Sequence, residues 1–413
     1  MIDMNKAPPP LAGLRIIESS ILGPAAITTA FADLGAEVIK VETPSGDYIR
    51  EMTWPIIEGV SLMHYHLNRG KKSITLDLKK EEARQIYRDL VKGADVVIEA
   101  SKPGALAKFG LGYENLKKIN PKIVFCTVSG YGMSGPYAEM PSHGIAYDTW
   151  SGAVTPAYDE AGFCYIPEHV GIGINAAPLY GGLAVLAAVL RARSTGNGCF
   201  MDLAQADAAA AFDWYRSESH MSYARPEDVV TGNKSDGYQR RPVATAGMRE
   251  GVRYQLYESA DGHVLFMASE QAFWKNFCAG VGRLDLFEKW PGSKYADHAR
   301  GNRELQDILR DIFKTRSTQQ WLSFSREANT PIAPVNTPKN LVDDPQFQAR
   351  FRLLPYQEHG ADMLGFPVHF VGEELPQPAR APTVGQHSEQ VLRELLGLDL
   401  EQIAALRHAG ALG

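Results

Sequence analysis

The chain has 413 residues, 45% hydrophobic and 22% charged, with a formal net charge of −6. That length accommodates two or three domains around large buried cores. The acidic balance argues against nucleic acid as a partner, because such binding neutralises phosphates with clustered Lys and Arg; a small anionic ligand remains compatible with a local positive pocket.

From the N-terminus, Met1 to Lys6 and Pro8-Pro9-Pro10 bring no apolar run behind a basic start, so no secretory leader is expected. Residues 14–18 read as a short buried strand. Residues 24–34 read as a helix stopped by Gly35, and 37–42 as a second strand. His64 and His66 alternate as on a strand or loop and form no metal pattern. Asn68-Arg69-Gly70-Lys71-Lys72-Ser73 leads into a strand at 74–76. Residues 80–92 have helical periodicity; 95–99 and 123–128 read as further strands. Strands separated by helices of this length predict a parallel, doubly wound, Rossmann-like sheet with right-handed crossovers.

No GxGxxG follows the first strand; the loop reads Ser19-Ser20-Ile21-Leu22-Gly23-Pro24, which excludes the usual dinucleotide fingerprint. That loop still opens a helix, and helix N-termini attract anions. Ligands of open α/β sheets sit at the carboxyl ends of strands, so Lys102 and Lys108, after the 95–99 strand, are candidate phosphate contacts. The loop Ser129-Gly130-Tyr131-Gly132-Met133-Ser134-Gly135-Pro136 has glycines that permit close ligand approach and amides that could face an oxyanion, or it is a tight structural turn.

Residues 178–193 predict a long apolar helix entered at Pro178 and ended by Ser194-Thr195-Gly196-Asn197-Gly198. The apolar stretch 176–190, broken by Pro178, Gly181 and Gly182, is too short to span a bilayer and predicts a buried helix. A new element starts at Met201, and an Ala-rich helix covers 204–212. After a polar connection, 254–257 and 264–267 around Asp261-Gly262 predict a β-hairpin. The expected division is a large domain at 1–224, a small α+β domain at 225–328, and a segment at 329–413 that returns to the large domain. Cys126, Cys164, Cys199 and Cys278 form no CxxC pair; free thiols in a reducing, cytoplasmic setting and no structural zinc are expected.

Taken together, several segments resemble the class III CoA-transferases, the CaiB/BaiF type. The carriers are residues 10–16 and 32–42, Asn68 to Ser73, Gly110-Leu111-Gly112-Tyr113, Ser129-Gly130-Tyr131-Gly132, Gly135-Pro136-Tyr137, Arg193 to Gly198 and the tail 392–397. The resemblance covers nearly the whole chain. It implies a Rossmann-like large domain, a small domain and an interlocked dimer. It also implies a coenzyme A thioester as substrate, no tightly bound cofactor and no metal, with Leu22, Gly23, Asn68, Lys71, Lys72, Lys102 and Lys108 at positions that contact CoA. Enzymes of this type use an aspartate that attacks the donor thioester, giving an anhydride and then an aspartyl thioester.

Counting back from Gly196 places that aspartate's position at Ile174, with Asn175 beside it, and neither can form an anhydride. The nearest acids in sequence are Glu168, Glu160 and Asp159. His143 matches the base of related racemases, but their second base occupies the same missing position. The expectation is therefore a chain inactive alone: one subunit of a heteromeric enzyme whose homologous partner carries the aspartate, with benzylsuccinate-type enzymes as the precedent and succinyl-CoA as donor. Phe212-Asp213-Trp214-Tyr215 and 254–257 are compatible with an aromatic acid, though such residues more often form core. The alternatives are an active homomeric transferase using another carboxylate, and a catalytically inactive CoA-binding regulatory protein. Neither a nucleic acid nor a membrane is expected as a partner.

Overall fold

The computed structural model describes residues 7–100, 104–232, 234, 237–240, 248–293 and 298–413. The chain divides into two compact units, one of Met1–Trp214 with Phe351–Gly413 and one of Tyr215–Arg350. These boundaries stand at 215 and 351, against the expected 225 and 329.

The first unit is built on six parallel strands: β1 (Arg15–Ser19), β2 (Glu37–Glu42), β3 (Lys72–Thr75), β4 (Val96–Glu99), β5 (Val124–Ser129) and β6 (Cys199–Ala204). Their spatial order is β6-β5-β4-β1-β2-β3. The order reverses between β1 and β4, where Ser19 stands opposite Glu99. A reversal of this kind opens a crevice at the carboxyl edge of the sheet. The sixth strand went unassigned in the sequence because Met-Asp-Leu alternates apolar and polar too briefly; register with β5 (Met201 opposite Cys126) is what makes it a strand.

Helices cover both faces: α1 (Ala25–Asp33), α2 (Leu62–Asn68), α3 (Glu81–Lys92), α4 (Ala105–Lys108), α5 (Tyr113–Ile119), α6 (Gly144–Trp150), α7 (Gly173–Thr195) and α8 (Gln205–Phe212). One core gathers Ile17, Ile39, Val97 and Phe125 with Tyr87 and Leu90 of α3. The other gathers Ile16, Val38, Ile98 and Cys126 with Phe31 of α1 and Val185 and Val189 of α7. Alternate residues of each strand thus supply opposite faces, as the two-residue repeat dictates.

Three local expectations are corrected. His64 and His66 lie on a helix, α2, started by Ser61, whose side chain accepts the Met63 N–H at 3.1 Å. The long apolar helix begins at Gly173, five residues before Pro178, so Pro178 is internal. With 23 residues, α7 is long and apolar enough to cross a membrane by length and composition, which the shorter stretch in the sequence excluded. Here it packs against α8 through Ala176 and Ala177 and against α1 through Gly181, Val185, Ala188 and Ala192.

The 351–413 segment closes the free edge of the sheet. His387 N–H bonds to Ser73 O at 2.9 Å, and Gly413 N–H to Thr75 Oγ1 at 3.0 Å. His64 joins it: Nε2 meets Pro382 O at 3.1 Å, while Nδ1 accepts from Asn68 Nδ2 at 3.0 Å. Both ring atoms are satisfied only in the neutral form, and burial, with Arg50 nearby, lowers the His64 pKa to about 4. The unfolded chain then binds the extra proton between pH 6.5 and about 4. Stability from this group is complete above pH 6.5 and is lost as pH falls. Urea unfolding at pH 8 and pH 5 should differ by about 2 kcal/mol from this residue. His64→Gln should flatten that dependence; an unchanged slope contradicts the assignment.

In the second unit, β7 (Tyr254–Glu258) and β8 (His263–Met267) form the expected antiparallel hairpin, and β9 (Ile332–Pro334) adds a third strand. Trp274, Phe277, Phe313 and Trp321 are fully buried behind it. Tyr257 is buried, stacks on Phe313 at 4.8 Å and belongs to this core. Phe212, Trp214 and Tyr215 are each about half exposed.

Candidate functional site

A cavity of about 440 Å³ lies at the carboxyl ends of β1, β2 and β3, bordered by Ser20, Ile21, Thr43, Tyr48, Lys79 and Phe109. Lys79 follows Asp77-Leu78, and Asp77 Oδ1 accepts its backbone N–H at 3.1 Å. Its side chain is exposed and makes no ion pair among the described residues. Lys79 went unnoticed in the sequence because it stands among other surface lysines; only the fold carries it to the cavity mouth. Lys108 ends α4, whose Leu106 lines the cavity; it too is exposed and without an ion pair among the described residues.

The structure scatters the other expected contacts. Lys102 lies outside the described residues. Lys71 is fully buried, its Nζ 2.8 Å from Glu18 Oε2 and 2.9 Å from Ala25 O. Asn68 is buried beside it, with Oδ1 accepting from Lys71 at 3.3 Å. Lys72 opens β3 and pairs with Glu37, the first residue of β2, at 2.7 Å. That is the amino edge of the sheet, opposite to the edge where ligands collect. These three side chains therefore brace the fold and offer no free cation to a ligand.

The brace has a purpose for the loop that carries Leu22 and Gly23. Lys40 donates to Ser20 O at 2.6 Å and Lys71 to Ala25 O at 2.9 Å, so buried ammoniums hold the loop at both ends. Leu22 adopts φ 53°, the left-handed region that an L side chain enters at some cost. Gly23 lies against the start of two helices: a Cβ there would stand 3.2 Å from Gln205 Oε1 and 3.3 Å from Ile174 Cβ. Glu99, at the strand-order reversal, accepts from Thr127 Oγ1 at 2.8 Å, and burial pushes its carboxyl pKa up.

Around the first turn of α7, Ile174 touches the glycine positions Gly23, Gly144 and Gly171. Asn175 Nδ2 is tied to Gly171 O at 2.6 Å. Asp148 of α6 is buried here. Its Oδ1 accepts Ile172 N–H at 3.1 Å and Gly173 N–H at 2.7 Å, and its Oδ2 lies 3.4 Å from His169 Nε2. Ile172, the residue before α7, offers no capping side chain, so Asp148 caps the helix from another element. Sequence reasoning passed over Asp148 because it stands 26 positions from Ile174 and belongs to no local motif.

Glu168 is exposed, as are Asp159 and Glu160. Asp159 Oδ1 accepts the Ala161 and Phe163 N–H groups of its own turn. His143 is exposed at the residue preceding α6. In the glycine loop after β5, the amides of Gly132 and Met133 already donate to Ser129 Oγ and Asp202 Oδ2 at 3.0 and 2.9 Å, so they do not form an anion nest. No group of three or more His, Cys, Asp or Glu is placed to hold a metal among the described residues.

The profile of CoA-transferase family III matches residues 11–388. The chain is similar to the succinate–glutarate CoA-transferase of Agrobacterium fabrum, 31% identical over 96% of this chain and 98% of the relative. It is also similar to the human succinyl-CoA:glutarate CoA-transferase, 30% identical over 99% and 91% respectively. A CAIB/BAIF family protein from Brucella suis has the same fold, with a TM-score of 0.73 at 28% identity over 94% of this chain and 99% of that one. The first two relatives are named as enzymes in themselves, with no subunit designation, and match almost end to end. This overturns the expectation of an inactive chain whose homologous partner supplies the aspartate, and neither relative is named for benzylsuccinate. With the β3-β2-β1-β4-β5-β6 sheet, the glycine-lined α7 turn and a profile match from residue 11 to 388, the chain belongs to CoA-transferase family III.

Proposed function

We propose that this chain, as copies of itself and without a second kind of subunit, transfers CoA from succinyl-CoA to a dicarboxylic acid. The observation that carries the reading is the cavity at the carboxyl edge of β1–β3 with the unpaired Lys79 at its mouth. Lys79 and Lys108 supply point charges for the phosphates of the nucleotide end. The Leu22–Gly23 loop then directs the thioester end toward the first turn of α7. The donor and acceptor class follow from the relatives, which act on succinate and glutarate by name. Cys126 and Cys278 are buried free thiols, as suits a reducing compartment such as the cytoplasm.

The outward face of α7 supports a homodimer. Leu179, Leu183 and Leu190 are 67–70% exposed on one copy, an apolar stripe that a second copy would cover.

Purified chain, incubated alone with succinyl-CoA and glutarate or other dicarboxylic acids, should form the new acyl-CoA, detected by chromatography. Lys79→Ala should raise KM for succinyl-CoA about tenfold with kcat little changed, as expected for loss of one charge-assisted phosphate contact. A kcat loss with unchanged KM would contradict the placement of Lys79. Absence of any transfer would sink the reading itself.

A further inference from the structure

Acyl transfer through an anhydride requires a carboxylate, and the first turn of α7 has only apolar or amide side chains, Ile174 and Asn175, where the family pattern puts one. The carboxylate that does reach this turn comes from α6. A Cβ built on Gly171 would lie 3.0 Å from Ile174 Cδ1 and 3.7 Å from Asp148 Oδ2, so both side chains border the same small space. We propose that Asp148 is the catalytic nucleophile of this chain, with Oδ2 as the attacking atom and the backbone N–H groups of Ile172 and Gly173 as the oxyanion hole. The proposal rests on the CoA-transfer reading above.

The two oxygens of Asp148 are held differently. Oδ1 takes both amides, at 3.1 and 2.7 Å, at the positive end of a 23-residue helix. Oδ2 receives no amide and faces His169 and Gly171. In the first step Oδ2 attacks the thioester carbonyl carbon, the C–S bond breaks, and CoA leaves as thiolate. The thiolate then attacks Asp148 Cγ, and the donor acid leaves as its carboxylate. Negative charge develops on Oδ1 in that step, where two fixed amides already point. The acceptor carboxylate next attacks Cγ and expels the thiolate. The thiolate attacks the acceptor's acyl carbon, and the Asp148 carboxylate is restored. Each step exchanges one bond for another, and no oxidant, reductant or net proton is consumed.

Asp148 is 1% exposed, and His169 and Gly171 border its Oδ2 from a segment, 166–171, that forms neither helix nor strand and carries Val170 at 80% exposure. Attack requires this segment to move off Oδ2. The competing acids lack the same setting: Glu168 is exposed, and Asp159 is engaged by its own turn.

The alternative is that Asp148 only caps α7. The experiment separates the two. Full-length protein is mixed with succinyl-CoA, treated with hydroxylamine, digested and mapped by mass spectrometry; the hydroxamate is expected at Asp148. Asp148→Asn keeps an oxygen for the two amides, so the fold is retained by circular dichroism, but transfer should fall roughly a thousandfold or more. Adding Ile174→Asp to Asp148→Asn places a carboxylate on the other border of the space and should recover at least about tenfold of that loss. An adduct on any other residue, or Asp148→Asn activity within tenfold of the parent, overturns the proposal. Adduct mapping uses the unaltered chain, so it decides even if the variant misfolds. An unaltered chain that neither transfers CoA nor forms any adduct overturns the CoA-transfer reading, and this proposal with it; transfer without Asp148 overturns this proposal alone.

Discussion

Glu18→Gln is expected to destabilise the first unit by about 3–5 kcal/mol at neutral pH. Glu18 stands between two buried ammoniums, with Lys71 at 2.8 Å and Lys40 at 3.3 Å. Lys40 also meets Asp47 at 3.0 Å, and Thr28 Oγ1 donates to Glu18 Oε2. All of these side chains are buried. Burial works against the Glu18 charge, but Lys71 and Lys40 outweigh it and hold the carboxyl pKa below its usual range. The amide of Gln removes that charge and leaves two buried cations with Asp47 and with Glu42, which Arg50 already engages. An uncompensated buried charge is among the most destabilising local changes.

The pH dependence identifies the cause. In the unaltered chain, stability from Glu18 is present above pH 4.5 and is lost as pH falls through its lowered folded pKa. Lys71 adds a dependence of the same sign at higher pH. Burial already brings its pKa down to about 8, despite the pull of Glu18. Without Glu18 it drops further. The unfolded chain then binds more protons between that value and 10.5, so the variant gains stability as pH rises through this window. Urea unfolding at pH 6 and pH 9.5 should show a deficit that shrinks at the higher pH. A deficit below about 1 kcal/mol, or one that grows with pH, contradicts the network argument. The same variant should bind succinyl-CoA more weakly, because Lys40 and Lys71 hold the Leu22–Gly23 loop through Ser20 O and Ala25 O.

Leu183→Asp is expected to convert a homodimer to monomers. Leu179 and Leu183 are adjacent turns of α7, and Leu190 lies two turns on, while Gly181, Val185 and Ala188 take the opposite face into the core. Burying a leucine contributes about 1.5–3 kcal/mol, so covering three of them outweighs much of the entropy lost on association. A carboxylate at the centre of that stripe loses one such contribution and adds an unpaired buried charge. The dissociation constant should rise by about a hundredfold or more. Light scattering should give twice the 45.3 kDa chain mass for the unaltered protein and 45.3 kDa for the variant. A monomeric unaltered protein at micromolar concentration would remove the dimer. Residues 183 and 148 lie on different elements, so Leu183→Asp monomers that still form the Asp148 adduct would separate assembly from chemistry.

Much of the large unit was legible from local pattern. β2 runs over the same residues, 37–42, that its apolar repeat predicts, and α3 starts one residue late. Both signals are short-range: a two-residue alternation for strands and a 3.6-residue period for helices, each strong when one face meets a core. Where periodicity was weak, the reading slipped. The His64-Tyr65-His66 triplet alternates like a strand, but Ser61 caps a helix there, and His64 is satisfied only by Asn68 one turn on and by Pro382 more than 300 residues away. Pro178 signals a helix start, yet α7 begins at Gly173, because the Asp148 carboxylate supplies the cap that the local sequence lacks.

The candidate site divides the same way. The resemblance marked the loop at Leu22–Gly23 and set the expected aspartate position at Ile174, both read from contiguous motifs. Residue type alone did not distinguish Lys71 and Lys72, which are spent on Glu18 and Glu37, from Lys79, which is free at the cavity mouth. The charge of a lysine is written in the sequence, but whether it faces a ligand depends on which carboxylates the sheet places beside it. The same holds for Asp148, unremarked in the sequence, whose carboxylate meets the α7 turn only when α6 and α7 pack together. Sequence by itself determined the parallel sheet and the family. The tertiary structure decided which charges are buried, which are free and which acid meets the first turn of α7, because those depend on contacts between residues far apart in the chain.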